Sequence, residues 1–282
     1  MVFPSKIQLR QMDGIFLQDR GTHWVGGSTT RLYKSTFTNK YIVCKKVRES
    51  STELYFHEFV SLDSSDIYVA PIDYVFHDGE RFLVFPYVGQ DVFTLAMHGF
   101  WSTHEHITMT FYEEMLKKMD LFHIRYKMAI GDISPNNIVY DAKNGKGSFI
   151  DLELLRYPFM QRSVQSPVMN NTLCIDVPQK DVNLRSFSRV GTPGFRSFDK
   201  LFSDTFDVFE NDRYALATTL YTMITNGAAP TLYMTGTCTR KEWSHLHEVA
   251  LEHLQTFMTN GCYHWSIASK LQILDYIRTT WK

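Results

Sequence analysis

The stretch Ile130-Gly-Asp-Ile-Ser-Pro-Asn-Asn-Ile-Val-Tyr140, taken with Phe149-Ile-Asp-Leu-Glu153, decides how the rest of the chain is read. Asp132 is followed by Asn137 and at once by the apolar run Ile138-Val-Tyr140, which has the composition of a short strand. Asn144-Gly145 is a turn signal, and beyond it a second apolar run delivers Asp151. The spacing predicts a loop carrying an Asp and an Asn, set beside a hairpin that ends in a second Asp. An Asx-turn ahead of a strand is the plain alternative for Asp132 and Asn137.

Bulk properties narrow the field. At 282 residues the chain can form one large domain or two small lobes. Its 44% hydrophobic and 21% charged residues describe an ordinary globular protein. A formal net charge of -1 gives no reason to expect nucleic acid or an anionic membrane as partner. Cys44, Cys174, Cys238 and Cys262 have no C-x-x-C spacing, which argues against a zinc site or a disulfide framework. An intracellular location, cytoplasmic or nuclear, is expected from that cysteine usage and from an N-terminus lacking the apolar core of a signal peptide. No uncharged apolar run approaches a membrane span. The 11 histidines show no H-E-x-x-H spacing.

Other segments gather around the opening motif. Thr22 to Lys34 has the pattern of strand, loop and strand around Gly26-Gly27-Ser28. Tyr41-Ile-Val-Cys-Lys-Lys-Val47 is a clear β-run, in which Lys45 and Lys46 point to opposite faces. Ser50-Ser51-Thr52 can cap a helix running to Leu62, with Glu53 in its first turn and Glu58 at its middle. Ile67–Phe76 and Arg81–Val88 form an antiparallel pair around His77-Asp-Gly79. Residues 105–127 carry helical periodicity through Ile107, Phe111, Met115, Met119 and Phe122. The polar stretch from Asp151 to Asp199 has the composition of a long loop with an insertion, and it closes on Val190-Gly-Thr-Pro-Gly-Phe-Arg-Ser-Phe-Asp199. Glu210–Ile224 is a buried helix carrying Asp212, and two more helices are expected over 240–258 and 264–281.

In this order the motifs resemble the protein kinase superfamily, whose catalytic loop has the form H-R-D-L-x-x-x-N and is followed by D-F-G. The resemblance spans about residues 20–225. It implies an α+β, bilobal protein-kinase-like fold. Residues 1–88 would be a small β-rich N-lobe with one long helix, and 89–282 a larger, mostly helical C-lobe. ATP and Mg²⁺ are implied with it. Asp132 would orient the attacking hydroxyl, and Asn137 and Asp151 would hold Mg²⁺. Lys45 would reach the α/β-phosphates and Gly27 would belong to the loop that covers them. Tyr87 and Val88 would offer backbone groups to adenine, Phe85 lining the pocket behind. Thr192 would bond near Asp132, Asp212 would tie down the catalytic-loop backbone, and Asp199 would replace the Glu of A-P-E. Two glutamates compete for Lys45. Glu58 is preferred, because the chain must leave the strand, reverse and climb back, at about 1.5 Å per helical residue. Glu53 is the alternative.

Several positions depart from that pattern. Asp151-Leu-Glu153 stands for Asp-Phe-Gly, Gly131 for the Arg before the catalytic Asp, Ser134 for the usual lysine two residues after it, and Phe198 for the Pro of A-P-E. Among the glycines of the nucleotide loop only Gly27 aligns. The expected activity is that of an ATP- and Mg-dependent protein kinase acting on Ser/Thr hydroxyls of protein substrates. Two alternatives stand beside it. One is a small-molecule phosphotransferase, because Gly131-Asp132 with Ile150-Asp-Leu-Glu153 also resembles the H-G-D…I-D-x-E pattern of aminoglycoside- and choline-kinase-like enzymes. The other is a pseudokinase acting as a binding or scaffold module. The compact, divergent pattern also resembles kinases carried by large DNA viruses. With Gly131 in place of the Arg, a phosphate on the following loop lacks its usual charge partner. Changing Ser186 and Ser188 together to Ala should therefore leave phosphotransfer intact in a kinetic assay, and a collapse of activity would refute this.

Overall fold

The structure, a computed structural model, describes residues 6–8, 16–19, 30–35, 39–49, 51–60, 66–77, 79–156, 191–202, 206–229 and 238–281. It is a mixed α+β chain whose contacts fall into two compact units, Met1–Gly89 and Gln90–Lys282. Gly27, expected over the phosphates, and the loop serines Ser186 and Ser188 lie outside the described residues.

The first unit is built on an antiparallel sheet of six strands. These are β1 (Lys6–Gln8), β2 (Phe16–Asp19), β3 (Thr30–Ser35), β4 (Tyr41–Val47), β5 (Asp73–His77) and β6 (Glu80–Pro86). They lie in the order β1-β2-β3-β4-β6-β5. The expected strand over Ile67–Phe76 is shorter than its composition suggests, because Pro71 interrupts the run and pairing starts only at Asp73. Alternation divides β4 between two cores. Ile42 and Cys44 join Tyr33, Val75, Phe82 and Val84 on one face. Val47 packs with Leu54 and Leu83 on the other.

A short helix, α1 (Thr52–Tyr55), covers that second face and continues as a π-helical turn, Phe56–Val60. Ser51 caps α1, its hydroxyl accepting from the Leu54 N–H at 3.4 Å. The sequence expectation of an unbroken α-helix is corrected here. The wider turn buries two adjacent aromatic side chains at once: the rings of Phe56 and His57 lie 5.3 and 5.6 Å from that of Tyr68.

The second unit begins with β7 (Gln90–Asp91), which pairs with β8 (Ile138–Asp141) and through it with β9 (Lys146–Phe149). Its helices are α2 (Val92–Met97), α3 (Phe100–Thr103), α4 (Glu105–Tyr126), α5 (Phe198–Phe202), α6 (Val208–Ile224), α7 (Arg240–Asn260) and α8 (Ile267–Thr280). Helix α4 buries Phe111, Met115, Met119 and Phe122 of the stripe that its sequence period predicts; Ile107 is only half-buried, and Thr108 and Tyr112 join the buried face instead. Helix α6 is buried on nearly every side from Tyr214 onward, its threonines bonding back to backbone carbonyls one turn earlier. Asp207 caps it, accepting from the N–H groups of Phe209 and Glu210. Tyr214 of α6, Trp243 and His247 of α7 and Trp281 form an aromatic seam, and burial pushes the His247 pKa down to about 4. Among the described residues no helix is long and apolar enough to cross a membrane.

The β8–β9 hairpin rests on α4 through Gly147. A Cβ at that position would overlap the Phe111 ring and the Met115 sulfur, so only glycine lets the strand lie this close. Lys118 of α4 donates to the Gly147 carbonyl at 2.5 Å and completes the contact. Gly147→Ala should overpack this contact and lower the stability of the protein by about 1–3 kcal/mol. A drop in the urea midpoint followed by far-UV circular dichroism would show it.

Candidate functional site

The site begins with one buried carboxylate. Asp212, in the first turns of α6, is fully buried and accepts from the Ile130 N–H at 2.7 Å and the Gly131 N–H at 2.9 Å. Its Oδ2 also lies 2.9 Å from Nε2 of His123, near the end of α4. A buried carboxylate persists only with partners of this kind, and these partners fix the loop that precedes Asp132. Gly131 has φ +83°, a conformation open to glycine, and a Cβ there would strike the Leu154 carbonyl. That carbonyl is held in place by a backbone bridge in which Ala129 and Arg156 exchange hydrogen bonds of 2.8 and 2.9 Å.

The next residue is Asp132. Its Oδ1 accepts from both the N–H and the hydroxyl of Thr192, at 2.7 and 2.8 Å. Asn137 closes the 3₁₀ turn Pro135–Asn137, and its amide nitrogen donates to the Asp132 carbonyl at 3.0 Å and to Oδ2 at 3.1 Å. The amide protons of Asn137 thus point at Asp132. The Ile150 N–H donates to the Asn137 carbonyl at 2.9 Å, and Ile138 pairs with Phe149. Asp151 therefore leaves the hairpin at the end where Asn137 enters it. It holds φ +61°, a left-handed conformation that an Asp tolerates better than most residues but seldom adopts without a local reason. The structure thus brings Asp132, Asn137 and Asp151 to one end of one hairpin. Glu153 is exposed, two residues on.

In the first unit Lys45 is buried, and its ammonium donates to Glu53 at 2.5 Å. The preference for Glu58 is corrected: Glu58 sits exposed in the π turn, while Glu53 is 1% exposed. The reason is the tightness of the connection. The Ser51 N–H bonds back to the Arg48 carbonyl at 2.9 Å, so α1 starts beside the end of β4 and its first turn already faces Lys45. Lys46 points the other way and pairs with Glu80 at 2.6 Å. His57 lies beside Lys45, and burial together with that ammonium pushes its pKa down to about 3, so it is neutral.

Of the two backbone positions expected at adenine, the Tyr87 N–H is already spent on the Tyr41 carbonyl at 3.2 Å. The Val88 N–H has no hydrogen-bond partner among the described residues.

Sequence reasoning missed the cations around Asp132. Lys200, on α5, is buried and donates to the Gly131 carbonyl at 3.0 Å, and the charge of Arg196 is felt at Asp132. Nothing in the linear order marks Lys200, which lies 68 positions beyond Asp132; the motif pattern marks only its neighbour Asp199. That residue, Asp199, pairs with Arg240 at 2.7 Å, and the guanidinium also covers the Phe198 ring at 4.2 Å. Among the described residues no group of three or more His, Cys, Asp or Glu side chains converges as a metal cage.

The sequence matches no model of a known protein family and no curated protein.

The Lys45–Glu53 pair gives a direct comparison. Glu53→Gln leaves a buried ammonium without its counter-charge and should destabilise by about 3 kcal/mol or more. Glu58→Gln, at an exposed position, should stay within about 0.5 kcal/mol of the parent. Denaturant unfolding of the two variants side by side checks both values.

Proposed function

We propose that this chain is an ATP- and Mg-dependent phosphotransferase of the protein kinase superfamily, acting on Ser/Thr hydroxyls of protein substrates. On this reading Met1–Gly89 serves as the N-lobe and Gln90–Lys282 as the C-lobe of a bilobal kinase fold. The observation that carries the proposal is the state of Asp132. The two residues before it, Ile130 and Gly131, are held by Asp212, and its carboxylate is oriented by Thr192 on one oxygen and Asn137 on the other. A carboxylate fixed in this way orients an attacking hydroxyl and accepts its proton without first having to reorganise.

The other roles follow from the chemistry of the residues in each unit. Lys45, held by Glu53, is a fixed cation for the phosphates of a nucleotide. Val88 offers its N–H to the adenine edge. The residues that would hold Mg²⁺ are Asn137, through Oδ1, and Asp151, through its carboxylate; both are hard oxygen donors, and Mg²⁺ keeps several waters and needs few protein ligands. When bound, the ion neutralises charge on the transferred phosphoryl group. The tie between Thr192 and Asp132 favours a protein acceptor over a small molecule. It couples the segment Gly191-Thr-Pro-Gly-Phe195, a shelf on which a peptide would lie, directly to the proton acceptor.

The test is transfer of labelled γ-phosphate from Mg-ATP to the protein itself and to a mixture of casein and histone, with Asp132→Asn run in parallel. The variant should fold normally and lose about 100-fold or more in rate. Transfer to small aminoalcohols or aminoglycosides but not to protein would replace the acceptor class. Nucleotide binding without any transfer would reduce the chain to a binding module.

A further inference from the structure

We infer that Lys200 is a positioning residue for the transfer step, an ammonium group brought in from α5 to lock the Gly131–Asp132 peptide and to set positive charge beside Asp132. This rests on the phosphotransferase reading above.

The first support is burial. Lys200 is 5% exposed, and an ammonium is kept out of water only where partners offset the loss of hydration. Its hydrogen-bond acceptor is the Gly131 carbonyl, the oxygen of the peptide that joins Gly131 to Asp132. The N–H of the same glycine is held by Asp212. Gly131 is therefore pinned on both sides, by a carboxylate at its N–H and an ammonium at its carbonyl. A flexible residue with φ +83° immediately before Asp132 needs such pins to keep one conformation.

The second support is where the charge sits. A methyl group built on Gly191 would lie 3.3 Å from Nζ of Lys200 and 3.4 Å from Oδ1 of Asp132, so ammonium and carboxylate border the same small gap. The loop supplies no cation of its own between Asp132 and Asn137. Ser134 is fully buried, with its hydroxyl unpartnered. The positive charge comes instead from Arg196 and Lys200 of the following segment.

That segment is built to deliver it. The Ser197 N–H is held by Asn211 of α6 at 3.1 Å, and Asp199 ties the outer side of α5 to Arg240. One residue on, Lys200 points inward. Thr192 on Asp132 and Lys200 on Gly131 thus dock one stretch of chain onto the loop at two neighbouring points. As a hydroxyl proton moves to Asp132 and negative charge builds on the acceptor oxygen, a fixed cation bordering the same gap as Asp132 lowers the cost.

The groups facing Lys200 are Asp212 from α6, Asp132 from the loop, and Arg156 and Arg196. Burial pushes its pKa down to about 8, the two carboxylates hold the proton on, and the two arginines oppose them. Lys200 is therefore charged at neutral pH and loses its proton as pH rises through about 8.

The experiment uses the full chain with Mg-ATP and the casein–histone mixture, for the parent, Lys200→Met and Lys200→Arg, from about pH 6 to about pH 10. Lys200→Met should lower kcat about 100-fold with KM for ATP unchanged. The parent should lose kcat as pH rises through about 8, and Lys200→Arg, whose charge persists throughout, should stay active and lack that fall. A folded Lys200→Met with parental kcat overturns the inference, as does a Lys200→Arg profile with the same alkaline fall as the parent. If Lys200→Met fails to fold, the Lys200→Arg profile decides alone. A parent that transfers no phosphate overturns the phosphotransferase reading and this inference with it. That outcome is distinct from an active parent indifferent to residue 200.

Discussion

Everything in the second unit's site depends on a single buried carboxylate. Asp212 has no access to water, so its charge is tolerable only because the Ile130 and Gly131 N–H groups and the His123 ring are aimed at it. Satisfying Asp212 and shaping the loop are one event. The helix that carries it is buried almost throughout, so the carboxylate is fixed by the core and the loop conforms to it. Asp132 then inherits a position set by packing, although it lies at the surface of that core.

The first unit solves a parallel problem with the opposite arrangement. There the cation comes from a strand and the anion from a helix. Lys45 and Glu53 are both more than nine-tenths buried, which makes the pair costly to break but only weakly favourable to have. Its effect is placement: it holds an ammonium at a defined point on a sheet face otherwise packed with Val47, Leu54 and Leu83. His57 beside it stays neutral and adds no competing charge.

Local chemistry made much of this readable from sequence. The run Tyr41–Val47 is β4 residue for residue, because β-branched and aromatic side chains leave little choice. The capping signals at Ser51 and the period of α4 were equally legible. What failed was closure in space. Glu53 and Glu58 are indistinguishable by type, and only the tight turn at Arg48–Ser51 puts one of them against Lys45. The π turn was invisible, since the packing of Phe56 and His57 on Tyr68 produces it and no residue signals it. Asp199 was read by its place in a motif, whereas its partner, Arg240, is a surface residue of a helix with no sequence mark.

Neither position 131 nor position 134 has room for a cationic side chain, each for its own reason. The carbonyl of Leu154 occupies the space into which any side chain at 131 would project, so no arginine fits there. Ser134 is sealed in the core, where a lysine would have to bury its ammonium with no acceptor waiting. The loop around Asp132 is thus closed to cations from within its own sequence. Among the described residues positive charge reaches it from a neighbouring segment, where α5 presents Lys200 to the buried Gly131 carbonyl. The glycine that excludes one cation is the residue that receives the other.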